Sequence, residues 1–304
     1  MNKFISYNDE VKRALLTNKP VVALESTIIA HGMPYPHNIA MAEQVESLIR
    51  ECGVTPATIA IIAGKIHIGC NSEELEYLGI QGRNIPKAGK RDLPYLISQK
   101  ADGATTVATT AYLASQVGIK IFATGGIGGV HRNAEKTFDI SNDLEVLANC
   151  DIAVISAGAK AILDLPLTME YLETKGIEVI GYRTDFFPAF YSAKSNVPVN
   201  HRLNTPKDIA HYLKIKAELD MKNGVIIANP IPSELEIKNE EIESIIDAAI
   251  KDAKNEKISG KDLTPYLLEK IKNLTANRSL NANIILVYNN ANLAALIAKE
   301  LYGN

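Results

Sequence analysis

The chain has 304 residues, 46% of them hydrophobic and 22% charged, with a formal net charge of −3. This is globular composition with enough chain to bury a core, and it excludes a disordered polymer. The mild negative charge gives no electrostatic reason to expect DNA or RNA as a partner. Three cysteines, Cys52, Cys70 and Cys150, form no CxxC pair and leave one over. They read as reduced thiols of a cytoplasmic protein. The opening MNKFISYNDEVKRALLTNK is broken by polar residues, unlike a signal peptide. No run approaches the ~18 apolar residues of a membrane span, so the expectation is a soluble, intracellular protein.

In chain order, Val11–Leu16 predicts a short amphipathic helix before a strand over Val21–Leu24, which ends in Glu25, Ser26 and Thr27. Open α/β sheets place their sites at the carboxyl ends of buried strands, although a Glu there is also an ordinary cap or surface residue. Asn38–Glu51 carries Ile39, Met41, Val45, Leu48 and Ile49 near helical spacing. ATIAIIAGKIHIGC splits into two apolar runs around Gly64 and Lys65, a hairpin or tight turn. Asn71 and Glu74 have the spacing of a capping box. Lys87, Lys90 and Arg91 sit beside Gly and Pro before a short helix, as a solvated basic loop or a phosphate grip. GATTVATTAYLASQVG reads as a helix whose start is crowded with Thr105, Thr106, Thr109 and Thr110, where N–H groups suit an anion.

Residues 120–160 form the centre of the chain. A short buried strand, Ile121–Ala123, runs into Thr124 and the glycines Gly125, Gly126, Gly128 and Gly129. A polar segment carries His131, Arg132, Asp139, Ser141 and Asp143, and a second strand, Asp151–Ser156, delivers Lys160. Two such strands in one sheet would bring glycines, carboxylates and a lysine towards one pocket. The glycine spacing fails GxGxxG, because His131 or Ile127 stands where a glycine is needed, and GxxxxGK[ST] is absent. A turn whose backbone N–H groups approach a single phosphate remains. Asp139, Ser141 and Asp143 alternate like oxygen ligands but lack the glycine and glutamate of an EF-hand. Either a single Asp of this segment holds a hydrated magnesium or manganese ion, or Ser141 or Asp143 simply caps the helix from Leu144. Lys160 follows ISAGA, and an apolar wall there would favour the neutral amine that attacks a carbonyl. A surface lysine is the other reading.

Leu163–Lys175 predicts a helix, Ile177–Gly181 a strand, and YRTDFFPAFYSAKSNVPVNHR an irregular aromatic lid or subunit contact. A helix over Pro206–Met221 and the strand in GVIIANPIP precede three helical stretches, Glu240–Asn255, Thr264–Leu274 and Ala282–Tyr302. Asn277, Asn281 and Asn283 near the last start are caps, or amides able to read a nucleobase edge. The expected fold is α/β: a single domain over residues 1–304, with a largely parallel central sheet flanked by helices and a mostly helical C-terminal part.

The blocks ALESTIIAHGMPYPHN, GKIHIG, TTVATTAYLA, FATGGIGGVHR, TFDISNDL, GAKAILDLP, ANPIP and NANIILVYNNA together resemble the pseudouridine-5′-phosphate glycosidase family across nearly the whole chain. The resemblance implies reversible cleavage of the C–C glycosidic bond of pseudouridine 5′-phosphate to uracil and ribose 5-phosphate, in pseudouridine degradation. By it, Glu25 in LEST matches the proton donor and Lys160 in GAK the nucleophile of a Schiff-base adduct. Asp139 in TFDIS matches the manganese ligand, and Ser141, Asn142 and Asp143 a substrate-binding segment. Lys87 and Val107 match substrate contacts, Thr106, Thr124 and His131 the phosphate pocket, and Asn283 the uracil contact. The same resemblance implies one divalent ion per subunit and a homotrimer.

Two positions depart from the family pattern. Asn133 stands where glycine is usual, and Asn tolerates the left-handed backbone of such a turn. Ala161 replaces a common serine, which removes one hydrogen bond near the adduct. Two other readings start from the same residues. A Schiff-base aldolase acting on a phosphosugar would not need Asn283. A non-catalytic binder of uridine phosphates would tolerate loss of Lys160.

Overall fold

The computed structural model describes residues 2–258 and 263–303. The first half runs β1 (Ile5–Tyr7), α1 (Asp9–Leu16), β2 (Val21–Leu24), α2 (His37–Glu51), β3 (Thr55–Ile62), β4 (Lys65–Ile68) and α3 (Ser72–Gln81). It continues through β5 (Lys87–Ala88), α4 (Leu93–Ser98), β6 (Gly103–Thr105), α5 (Val107–Gln116) and β7 (Ile121–Ala123). Then follow β8 (Val130–His131), α6 (Ala134–Thr137), α7 (Asn142–Leu147), β9 (Ala153–Ser156), β10 (Leu163–Asp164), α8 (Leu165–Thr174) and β11 (Glu178–Tyr182). The chain closes with β12 (His201–Leu203), α9 (Pro206–Glu218), β13 (Val225–Ala228), α10 (Asn239–Asn255), α11 (Leu263–Leu274) and α12 (Arg278–Tyr302).

The main sheet has the order β1-β4-β3-β2-β7-β9-β13-β11-β12, with β6 and then β5 added beside β3. From β3 through β12 along that path every neighbouring pair is parallel. All four residues of β2, β9 and β13 are buried. Such continuously buried, largely apolar runs belong to strands covered by helices on both faces. The fold is therefore the expected single α/β domain with a largely parallel sheet. Because β2, β7, β9 and β13 are parallel neighbours, their carboxyl ends open onto one edge, where open α/β sheets place their ligands. Among the described residues, no helix is long and apolar enough to cross a membrane.

Local chemistry explains most boundaries. Asn71 accepts from the Glu74 N–H and the Glu74 carboxylate accepts from the Asn71 N–H, each at 2.8 Å, which is the predicted capping box of α3. Ala63 and Gly64 both have positive φ, the backbone of a tight two-residue hairpin turn between β3 and β4.

Other boundaries depart from expectation. Gly103–Thr105 forms β6, antiparallel to β3, rather than the start of a helix. The helix begins at Val107, after Thr106 caps it by accepting from the Thr109 N–H. Leu163 and Asp164 pair with β8, so α8 starts at Leu165 with Asp164 as its cap. The last helix starts earlier than its periodicity suggests, at Arg278. Asn277 precedes it in a left-handed conformation without a side-chain capping bond, and Asn281 and Asn283 lie inside the helix. In the first two cases strand pairing outweighs local propensity.

A Cβ on Gly64 would stand 2.6 Å from Lys100 Cα and 2.9 Å from the Ile97 carbonyl oxygen, at a φ of +73°. Gly64→Ala is therefore expected to destabilise the protein by about 1–3 kcal/mol. Urea unfolding would show it as a lower midpoint at unchanged slope. An unchanged midpoint would contradict this turn geometry.

Candidate active site

Glu25 follows β2, Thr124 follows β7, and Lys160 lies on the loop after β9. These three, with Lys87 of β5 and Asn283 of α12, line one pocket. Ile28, Phe190 and Leu268 supply apolar wall, and Thr27, His31 and the glycines Gly32, Gly125 and Gly126 complete the lining. The pocket adjoins a cleft of about 400 Å³, with which it shares His31, Gly32, Leu268 and Asn283.

Hydroxyl groups hold Glu25 in place. The Ser26 hydroxyl accepts from the Thr105 N–H at 2.8 Å, and the Thr27 hydroxyl donates to the Thr105 carbonyl at 2.8 Å. The Thr105 hydroxyl in turn donates to the Ile59 carbonyl at 2.6 Å. LEST is thus stitched to the neighbouring strands, and the carboxyl projects into the pocket. Thr124 donates to Glu25 through a short hydrogen bond. Burial pushes the Glu25 carboxyl above the usual carboxylate range and Asp143 adds to this, while Lys160, the Thr124 hydroxyl and Lys87 oppose it. A carboxyl of raised pKa beside an amine has the electrostatics of a proton donor.

The glycine loop positions Lys160. The Ile127 N–H donates to the Gly158 carbonyl, and the Lys160 N–H returns to the Ile127 carbonyl, both at 3.0 Å. Gly158 has φ +81°, and a Cβ there would meet the Pro188 carbonyl oxygen at 2.2 Å, so only glycine allows this crossing. A Cβ on Gly126 would strike the Phe190 ring at 2.6 Å, and one on Gly125 would stand 3.2 Å from Asn283 Oδ1. The missing side chains let an aromatic segment and the last helix close over the strand ends.

Beneath this loop, Asp143 accepts from the Gly128 N–H at 2.7 Å and the Ala108 N–H at 2.8 Å. Its carboxylate ties the glycine loop to the first turn of α5, while Ser141 caps α7. Asn290, fully buried, donates to the Thr124 carbonyl at 2.8 Å and the Gly125 carbonyl at 3.3 Å, and accepts from Asn229 at 2.9 Å.

The remaining predicted residues lie outside the pocket lining. Thr106 caps α5 and Val107 is buried beside it. The other hydroxyls of this run point inward, Thr109 donating to the Ala88 carbonyl at 2.6 Å and Thr110 to Thr105 at 2.9 Å. Ser141, Asn142 and Asp143 form the start of α7. His131 Nδ1 stands 3.9 Å from Asp139, and burial and Lys160 hold its imidazole below the usual range against the pull of Asp139. Among the described residues no three His, Cys, Asp or Glu side chains gather as a metal cage.

The basic loop separates: Lys87 faces the pocket, Lys90 lies over the Tyr112 ring at 4.4 Å, and Arg91 is exposed beside Asp92. Sequence reasoning missed His31, Phe190, Leu268 and Asn290. His31 stood in the ALESTIIAHGMPYPHN block, Asn290 in NANIILVYNNA and Phe190 in the aromatic segment read as a lid or subunit contact, whereas Leu268 carried no motif; only packing shows what each of them does.

The family described as "Indigoidine synthase A like protein" matches residues 10–300. A protein of Petrotoga mobilis named pseudouridine-5′-phosphate glycosidase is 56% identical over 297 residues, 98% of this chain and 97% of its own. A Brachyspira hyodysenteriae protein of the same name is 54% identical over 304 residues, 100% of this chain and 98% of its own. Among solved structures, the prealnumycin C-glycosynthase AlnA in complex with ribulose 5-phosphate superimposes with a TM-score of 0.91 at 34% identity, covering 99% of this chain and 97% of AlnA. An indigoidine synthase A-like protein of Thermotoga maritima gives 0.89 at 34% identity, covering 98% and 97%. The chain belongs to the indigoidine synthase A-like family, among the relatives named pseudouridine-5′-phosphate glycosidase.

Proposed function

We propose that this protein cleaves the C–C glycosidic bond of pseudouridine 5′-phosphate, reversibly, to uracil and ribose 5-phosphate. The observation that carries the reading is one pocket lined by both a buried carboxyl, Glu25, and an amine, Lys160. The relatives' name and the phosphosugar bound to AlnA support the same chemistry.

A uracil carbon is a poor leaving group, so the two-carboxylate route of ordinary glycosidases is unsuited. In the proposed route Glu25 gives its proton to the ribose ring oxygen as the ring opens, and the Lys160 amine attacks C1′. Uracil C5 takes up a proton, the bond from C5 to C1′ breaks, and the lysine nitrogen lone pair becomes the second bond of an imine. Water hydrolyses the imine, freeing ribose 5-phosphate and regenerating Lys160. One water is consumed for each bond cleaved.

Lys87 brings positive charge suited to the phosphate and Asn283 an amide suited to the base, with Thr124 keeping Glu25 oriented. Thr106, Val107, His131, Ser141, Asn142 and Asp143 belong to the same reading as substrate-side or supporting residues. Asp139, partly exposed beside His131, offers one hard oxygen donor, which fits a mostly hydrated divalent ion such as manganese. When bound, that ion would neutralise phosphate charge. A homotrimer in the cytoplasm, acting in pseudouridine degradation, completes the proposal; light scattering measures the assembly.

The deciding experiment incubates the protein with uracil, ribose 5-phosphate and manganese and separates the products. A new ultraviolet-absorbing phosphate matching pseudouridine 5′-phosphate supports the reading. None with manganese, magnesium or cobalt refutes it, and aldolase activity on the sugar alone would replace it.

Lys160→Ala is expected to abolish turnover and borohydride trapping of the sugar, whereas near-normal activity would remove the covalent step. Glu25→Gln is expected to lose about 10²–10⁴-fold in kcat. With Glu25 acting as an acid, wild-type rate should fall as pH rises through its raised pKa. Stability follows the same sign. The native carboxyl binds its proton more tightly than the unfolded chain, so Glu25 lowers stability as pH rises from 4.5 through the native value. Glu25→Gln should therefore gain stability over wild type in that direction, and urea midpoints at several pH values would show the crossing curves. Parallel curves would mean that Glu25 is not desolvated.

A further inference from the structure

His31 lies on the π-helical turn Ile28–Gly32 that follows Glu25. Turns of this kind are uncommon and concentrate at functional sites. The ring lines both the catalytic pocket and the adjoining cleft. Its Nε2 stands 2.8 Å from the Ile85 carbonyl oxygen. A carbonyl has no hydrogen to give, so Nε2 is the donor, and in the neutral ring Nδ1 is left as a bare acceptor. Burial holds the imidazole below its usual range despite the Ile85 bond, and Lys87 and Arg83 add to the effect. His31 is thus a neutral ring with one acceptor to offer the cavity it lines.

Asn283 lines the same two spaces. Its Oδ1 is buried and has no hydrogen-bond partner. Buried polar atoms are rarely left so, and an orphan at a cavity wall points to a ligand that supplies the donor. Two residues that line the same cavity therefore each carry an acceptor: His31 its Nδ1, with the tautomer set by the Ile85 carbonyl, and Asn283 its Oδ1.

The proposed substrate carries the matching pattern. Uracil joined through C5 keeps both ring N–H groups, at N1 and N3. Uracil joined through N1, as in ordinary uridine nucleotides, keeps only the one at N3. We propose that His31 Nδ1 and Asn283 Oδ1 accept the two ring N–H groups of the base, making His31 a specificity-determining residue for C-linked over N-linked uracil. This inference rests on the glycosidase reading above and adds to it the way the base is distinguished. A site built to hydrogen-bond a group discriminates strongly against the analogue that lacks it.

The test runs the full-length protein in the synthetic direction, varying uracil and ribose 5-phosphate separately. His31→Phe should raise the KM for uracil by about tenfold or more and leave that for ribose 5-phosphate unchanged. An unchanged uracil KM, or an effect on the sugar phosphate instead, overturns the proposal. A second arm uses wild-type protein and measures binding of uracil, 1-methyluracil and 3-methyluracil by equilibrium dialysis. Each methyl group should weaken binding by about tenfold or more, and one of the two penalties should shrink in His31→Ala, which removes the acceptor and leaves room for the methyl group. Equal binding of all three bases, or penalties that ignore His31, overturns it. Failure of the glycosidase reading would instead appear as no synthesis by wild type. Uracil could then still bind, and the dialysis arm alone would decide the role of His31.

Discussion

The buried amide of Asn290 is the interaction on which the site depends. It donates to the carbonyls of Thr124 and Gly125, where the strand β7 gives way to the glycine loop, and accepts from Asn229 at the end of β13. Carbonyls at the end of a strand have lost their ladder partners, and burying them unpaired would be costly. One side chain meets two of them and joins α12 to the sheet. Thr124, held at its carbonyl, then places its hydroxyl on Glu25. Asn283, about two turns earlier on the same helix face, reaches the pocket. Acid, loop and base-facing amide thus share one anchor.

Around that anchor, polar groups divide between those used for structure and those left to the pocket. Both carboxylate oxygens of Asp143 accept from backbone N–H groups, and the hydroxyls of Thr105, Thr109 and Thr110 bond inward. Glu25 and the Asn283 carbonyl oxygen are treated differently. Burial raises the pKa of the one, and the other is buried without a donor. Both features lower stability, and such local sacrifices are common at functional sites. Glycine serves the same end from the backbone side. At Gly125 and Gly126 the absence of Cβ lets Asn283 and Phe190 approach the strand ends.

Amino-acid order by itself determined the architecture and much of the site. Alternating apolar runs and helical periodicities specified a parallel α/β sheet, because strands buried on both faces must be continuously apolar. Polar residues directly after such runs marked Glu25, Thr124 and Lys160, since parallel neighbours bring their carboxyl ends to one edge. The capping box at Asn71 and the hairpin at Gly64 were equally legible, being set by residues within a few positions of one another. Tertiary structure alone decided the rest. The GAT segment became a strand because β3 offered it an antiparallel partner, against its reading as a helix start. Phe190, Leu268, His31 and Asn290 became site residues only when distant elements packed together. The tautomer of His31 depends on the Ile85 carbonyl, and the loop at Thr124 on an amide from the last helix. Local order sets which conformations a segment favours, but burial and hydrogen-bond pairing between segments remote in sequence set which groups meet, and no spacing along the chain records that.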